Sequence, residues 1–132
     1  MVEWHTKSDK MKSGGKRKTI RRCTKKKAWM GGLAANTKTH EGAEDRRELN
    51  KGRGQTEKVR ATSIKFVNIC NNGKTVKAEI LGVKENNANR LFARSNTTTK
   101  GALLRVKLDG TEQTVKVTNR PGQDGVINGI LA

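Results

Sequence analysis

Apolar and polar positions alternate with a period of two in several short stretches, the spacing of strands with one buried face. Residues 99–131 show it most plainly. Val106 and Leu108 alternate with Lys107, and Val115 and Val117 with Thr114, Lys116 and Thr118. Between them, Asp109-Gly110 favours the positive φ angles of a type I′ hairpin turn. Arg120-Pro121-Gly122-Gln123-Asp124-Gly125 cannot continue a strand, because Pro121 lacks an N–H and two glycines allow a compact reversal. Val126-Ile127 and Ile130-Leu131 resume the apolar pattern around Asn128-Gly129.

Upstream, Val59–Cys70 reads as one strand rich in β-branched and aromatic residues. Asn71-Asn72-Gly73 is a hairpin signal, and Val76, Ala78 and Ile80 then alternate with Lys77 and Glu79. Lys84–Asn96 breaks the period. There Asn86 or Asn87 caps a short helix carrying Ala88, Leu91 and Phe92 on one face, with Arg90 and Arg94 four apart on a common face. Five or six short strands, tight turns and one helical crossover predict a small β-barrel-like domain over residues 58–132.

The pattern fades before that. Residues 1–60 hold 15 apolar side chains and residues 61–132 hold 27, so only the second part can bury a core. The fold class expected is mainly β: a small C-terminal β-barrel-like domain with a long basic, largely irregular N-terminal extension over residues 1–57. Residues 1–27 read as an extended arm without stable structure of its own, which Gly14-Gly15 lets bend close to a partner. Glu41–Leu49 has the composition of a short charged helix. Lys51-Gly52-Arg53-Gly54-Gln55 is a flexible basic joint that lacks the spacing of a nucleotide-phosphate loop.

Charge gives this division a meaning. The formal net charge is +17, from 29 Lys and Arg against 12 Asp and Glu. Residues 1–27 alone carry 11 basic and two acidic side chains. Such a segment repels itself until a polyanion joins it, and nucleic acid is the commonest such partner. A membrane is not indicated. No stretch approaches the roughly 18 apolar residues of a spanning helix, and no apolar segment follows the basic N-terminus as in a secretory signal. A soluble, intracellular protein is expected.

The chemistry of sites is sparse. His5 and His40 have no carboxylate or cysteine at metal-ligand spacing, so neither metal nor cofactor is expected. No nucleophile motif and no apolar-set carboxylate pair occurs, which argues against an enzyme and against a small-molecule substrate. Asp124, between glycines, suits a turn. Cys23 and Cys70 read as reduced thiols, with Cys70 partly buried. Four aromatics are too few for a stacking platform of the RRM kind. A DNA-compacting architectural protein is the alternative that the charge allows, but the sequence displays neither a dimerising helix nor a minor-groove ribbon.

Three stretches carry a resemblance: Asn86-Asn87-Ala88-Asn89-Arg90, Thr99-Lys100-Gly101-Ala102, and the long run Thr118–Asn128. Together with Trp4, Ser13-Gly14-Gly15-Lys16 and the basic joint at Gly52–Gly54, the chain resembles the archaeal–eukaryotic S8e family of small-subunit ribosomal proteins. In length it is similar to archaeal members. The resemblance implies a structural protein of the cytoplasmic ribosome, with a C-terminal β-barrel and an N-terminal extension embedded in small-subunit ribosomal RNA, beside neighbouring small-subunit proteins. It implies RNA-facing roles for Lys16, Arg53, Lys100 and Arg120, and backbone-shaping roles for Gly101, Pro121 and Gly122. Charge and position add Lys12, Arg17, Lys18, Arg21, Arg22, Lys25, Lys26, Lys27, Lys58, Arg60, Arg90 and Arg94 to the expected RNA-binding set.

Overall fold

The structure is a computed structural model, and it describes residues 3–18, 25–39, 42, 44–52, 54–71, 73–108 and 110–132. The chain divides into two units, Met1–Ala34 and Ala35–Ala132.

In the first unit, Glu3–Trp4 (β1) pairs antiparallel with Met30–Gly31 (β2), with Trp4 opposite Met30. The His5 N–H donates to the Trp29 carbonyl at 2.8 Å, at the end of a 3-10 turn over Lys27–Trp29. The His5 ring lies so close to Gly31 that a Cβ there would meet it at 2.6 Å. Between β1 and β2 the chain doubles back through an antiparallel bridge of Lys10 with Lys16. Gly14 sits in that reversal at φ +83°, the freedom expected of Gly14-Gly15. Residues 1–27 were expected to hold no structure of their own, and these pairings are a difference. The Lys10–Lys16 bridge is local, whereas the β1–β2 pairing joins Glu3 and Trp4 to Gly31 and Met30; both are backbone pairings, which need no apolar core.

The second unit is built on a closed five-stranded barrel. Its strands are Phe66–Asn71 (β5), Lys74–Glu85 (β6), Leu103–Leu108 (β7), Thr111–Val117 (β8) and Asn128–Leu131 (β9), in the spatial order β5-β6-β7-β8-β9. Neighbours in the chain pair antiparallel, and β9 closes the ring by pairing parallel with β5. Closure leaves no free edge on which another chain could pair. The period of two places the core as expected: Leu104 and Val106 point in while Arg105 and Lys107 point out, and Val115 and Val117 are buried around an exposed Lys116. Val67, Ile69, Ala78, Ile80 and Ile127 join them in the interior. β6 is long enough to bend, with a register shift between Ile80 and Gly82. At its far end Val76 is 40% exposed, so the alternation there does not mark burial.

Arg46–Lys51 (β3) and Glu57–Ser63 (β4) form a separate two-stranded antiparallel ribbon. This corrects the helix expected over Glu41–Leu49. The charges suit a helix surface, but pairing across the ribbon sets Glu48 opposite Arg60 and Leu49 opposite Val59, and tertiary pairing overrides a weak helical preference. The single strand expected over Val59–Cys70 is likewise two. At the break, the Ile64 N–H donates to the Lys38 carbonyl (3.1 Å) and the Lys65 N–H to Asp45 Oδ1 (2.8 Å), so both amides leave the ladder.

Among the described residues, the crossovers hold two helices. Arg90–Arg94 (α1) is capped by Asn89, whose Oδ1 accepts from the Leu91 N–H at 2.9 Å, rather than by Asn86 or Asn87. Asn86 lies deeper and braces the loop instead. Pro121–Asp124 (α2) is a helical turn where a plain reversal was expected, with Pro121 at its start and Gly125 closing it at φ +71°. Cys70 is an exposed free thiol, not a partly buried one, because it lies on the outward side of β5 from Ile69. Cys23 and His40 lie outside the described residues.

Candidate nucleic-acid interface

The three stretches that carry the resemblance meet in the second unit. A cavity of about 290 Å³ is lined by Ala88 from the loop before α1, by Thr98, Thr99 and Lys100 from the loop before β7, and by Arg120, Pro121 and Gly122 from the start of α2. Asn36 and Thr37 complete it.

Each wall is fixed by hydrogen bonds between polar side chains and backbone. Asn86, only 4% exposed, donates from Nδ2 to the Thr97 carbonyl (3.0 Å). Its Oδ1 accepts from the Ala88 N–H (3.0 Å) and the Thr99 hydroxyl (2.9 Å). One buried amide thereby ties the loop before α1 to the loop before β7. Thr37 donates its hydroxyl to the Ala61 carbonyl at 2.6 Å, and the hydroxyls of Thr39 and Thr98 share a hydrogen bond of 2.6 Å. The third wall is held by Asp124, whose Oδ2 accepts from the Arg120 N–H (3.0 Å) and from Asn119 Nδ2 (3.1 Å). Asn119 also joins the Val126 carbonyl (2.8 Å) and the Asn128 N–H (2.9 Å). Asp124 thus has the turn role that its glycine neighbours suggest. Gly122 is needed for fit, since a Cβ there would lie 2.8 Å from that of Ala35.

Beside these walls, whose one carboxylate, Asp124, is engaged by the Arg120 N–H and Asn119 Nδ2, stand two cations. Lys100 and Arg120 are both exposed and both line the cavity. Among the described residues neither makes an ion pair. Their charges are therefore available to an anion.

The other expected residues fall in separate places. Arg90 and Arg94 are exposed on α1, one turn apart. Lys58 and Arg60 lie on β4, opposite Asn50 and Glu48. In the first unit, Lys12, Lys16, Arg17 and Lys18 are exposed around the Lys10–Lys16 reversal. Lys25 and Lys26 are exposed too, and the Lys26 ammonium sits 5.3 Å from the centre of the Trp29 ring. Arg21, Arg22 and Arg53 lie outside the described residues, as does the side chain of Lys27.

Two groups of cations escape sequence reasoning. Arg46 and Arg47 are exposed on β3, hidden by the helix expected there, and Lys51, read as part of a flexible joint, ends the same strand. Arg47 Nε donates to the Gly125 carbonyl at 2.8 Å, linking the ribbon to the turn after α2. Arg105 and Lys107 border a second concavity of about 420 Å³ with Leu81, Gly110 and Glu112. The signal for them was the alternation along β7, which turns both side chains outward.

Among the described residues no group of three or more His, Cys, Asp or Glu could hold a metal ion, and no helix is long and apolar enough to cross a membrane. Comparison with known proteins agrees with the motifs. The curated small ribosomal subunit protein eS8 of Methanoregula boonei is 38% identical over 130 residues, 97% of each chain. The protein of the same name from Staphylothermus marinus is 38% identical over 132 residues, 98% of each chain. That of Pyrobaculum aerophilum is 40% identical over 124 residues, covering 92% of this chain and 89% of its own. Residues 4–132 match the family described as ribosomal protein S8e, and the chain belongs to that family.

Proposed function

We propose that this protein is a structural constituent of the small ribosomal subunit in the cytoplasm, where it binds and stabilises folded ribosomal RNA and touches neighbouring small-subunit proteins. Residues 1–57 act as a basic extension embedded in RNA, and residues 58–132 present a barrel surface to it. The observation that carries this reading is the distribution of its +17 charge: exposed cations occur in both units, on turns, a ribbon, a helix and a cavity rim. Each lysine or arginine set against a phosphate releases condensed counterions. Specificity comes mainly from RNA shape, because the deep groove of A-form RNA resists base readout.

Salt dependence tests the mechanism. Replacing Lys12, Lys16, Arg17 and Lys18 by glutamine in the full chain should lower the slope of log affinity against log salt by about 3, at roughly 0.7 per lost contact. An unchanged slope would remove that reversal from the interface. Retention on small subunits through a high-salt wash tests the assembly itself.

The β3–β4 ribbon favours a second reading, a DNA-compacting architectural protein, since paired strands can enter a groove of duplex DNA. Competition between folded small-subunit RNA and duplex DNA at physiological salt separates the two. Preference for the RNA supports the ribosomal role, and equal affinity supports the architectural one.

A further inference from the structure

The cavity between Ala88, Lys100 and Pro121 is chemically uneven. Its two cations suit a phosphate, but two of its three threonines do not. Thr37 already donates its proton to the Ala61 carbonyl, and Thr99 donates its own to Asn86 Oδ1. A hydroxyl whose proton is committed still carries a lone pair, so toward the cavity these groups are acceptors. A phosphate has only acceptors to offer them. A nucleobase edge and a ribose 2′-hydroxyl have donors. In a paired stem the base donors face their partner strand, whereas an unpaired nucleotide leaves them open to a protein. Ala88, Pro121 and Gly122 add an apolar surface, and an arginine guanidinium such as that of Arg120 stacks on exposed bases. At about 290 Å³, the space lies at the lower end of small-ligand pockets, roughly 300 Å³ and up. That is room for one nucleotide and not for a helix.

We propose that this cavity receives a single unpaired nucleotide turned out of folded RNA, its phosphate held by Lys100 and Arg120 and its base edge donating to Thr37 or Thr99. The inference rests on the RNA-binding reading above and adds a ligand to it. The protein would then recognise RNA at one point by an extruded residue, and not by shape and charge alone.

The test uses the full chain and three RNA hairpins of one stem sequence: fully paired, with one bulged uridine, and with the same bulge lacking its base. The parent protein should bind the uridine bulge about tenfold more tightly than the abasic one, the scale of one or two hydrogen bonds. Ala88→Phe keeps every charge and fills the space from an exposed position. It should bring the two bulges within about twofold while leaving the paired stem unaffected. 4-Thiouridine in the bulge, cross-linked by light, should attach to peptides containing Thr98–Lys100 or Arg120–Gly122. Equal affinity for the two bulges, or cross-links only elsewhere, overturns the assignment even though the paired stem still binds. Binding of free uridine monophosphate without any bulge preference would give the cavity to a free nucleotide and overturn the RNA assignment. Failure to bind all three hairpins would instead reject the RNA-binding reading itself, and this inference with it.

Discussion

Gly125 shows how much one residue can decide. It stands at φ +71°, where a side chain is disfavoured, and a Cβ there would meet Val59 Cγ1 at 2.6 Å. Its carbonyl also accepts the Arg47 side chain. Gly125→Ala should therefore cost about 2 kcal/mol of stability, part backbone strain and part collision. Chemical denaturation of the single variant and of Gly125→Ala with Val59→Ala separates the two parts. The double variant should regain the share due to collision and keep the share due to φ. If Val59→Ala recovers nothing, the close approach of β4 to this turn is not the cause. The sequence marks Gly125 as a turn glycine, but Val59 as its neighbour is invisible there, because 66 positions separate them. Asn86 makes the same point at the cavity. Its composition reads as a helix cap, and only the fold reveals a buried amide joining two loops.

Among the elements, β9 has the most consequential place. It is short, yet it pairs with β8 on one side and with β5 on the other. Gly129 makes this possible: a Cβ would run into Val115 Cγ1 and lie 3.0 Å from the Lys116 carbonyl oxygen. Gly129→Val should open the seam between β9 and its neighbours. Amide exchange would register it first on the β8 side, at Thr118, whose N–H donates to the Asn128 carbonyl at 2.9 Å. A Thr118 amide as protected as in the parent would mean that the ring tolerates the change. The strands before it were the most legible from sequence, since period-two alternation marks the inward faces of β7 and β8 without knowledge of their partners. The ribbon was not. In β3 every side chain is exposed, so no burial pattern exists to be read, and charge composition pointed to the wrong element. α2 was missed for a related reason, because four residues that begin with a proline and are closed by a glycine serve equally for a turn and for one turn of helix.

For the whole molecule, charge outweighs local detail. A net +17 means that in the absence of RNA the protein repels itself. Salt should therefore stabilise it, as the Debye length falls from about 30 Å at 0.01 M to about 8 Å at 0.15 M. A thermal midpoint that rises over this range would express that self-repulsion, and one that falls would indicate that internal ion pairs outweigh it. This property was legible in full, because it depends on counts and not on placement. The convergence of Ala88, Lys100 and Arg120 on one cavity was legible only as three separate motifs. The parallel pairing of β5 with β9 also orders events in time. Asn68 and Asn128 touch across that pairing but are 60 positions apart. At a synthesis rate of about 5–20 residues per second, the first barrel strand waits roughly 3–12 s for its last neighbour to be made. Through that interval the nascent hairpin of β5 and β6 has an open flank and an uncovered apolar side, while the lysine-rich leading segment is already outside and able to engage RNA before the barrel can shut.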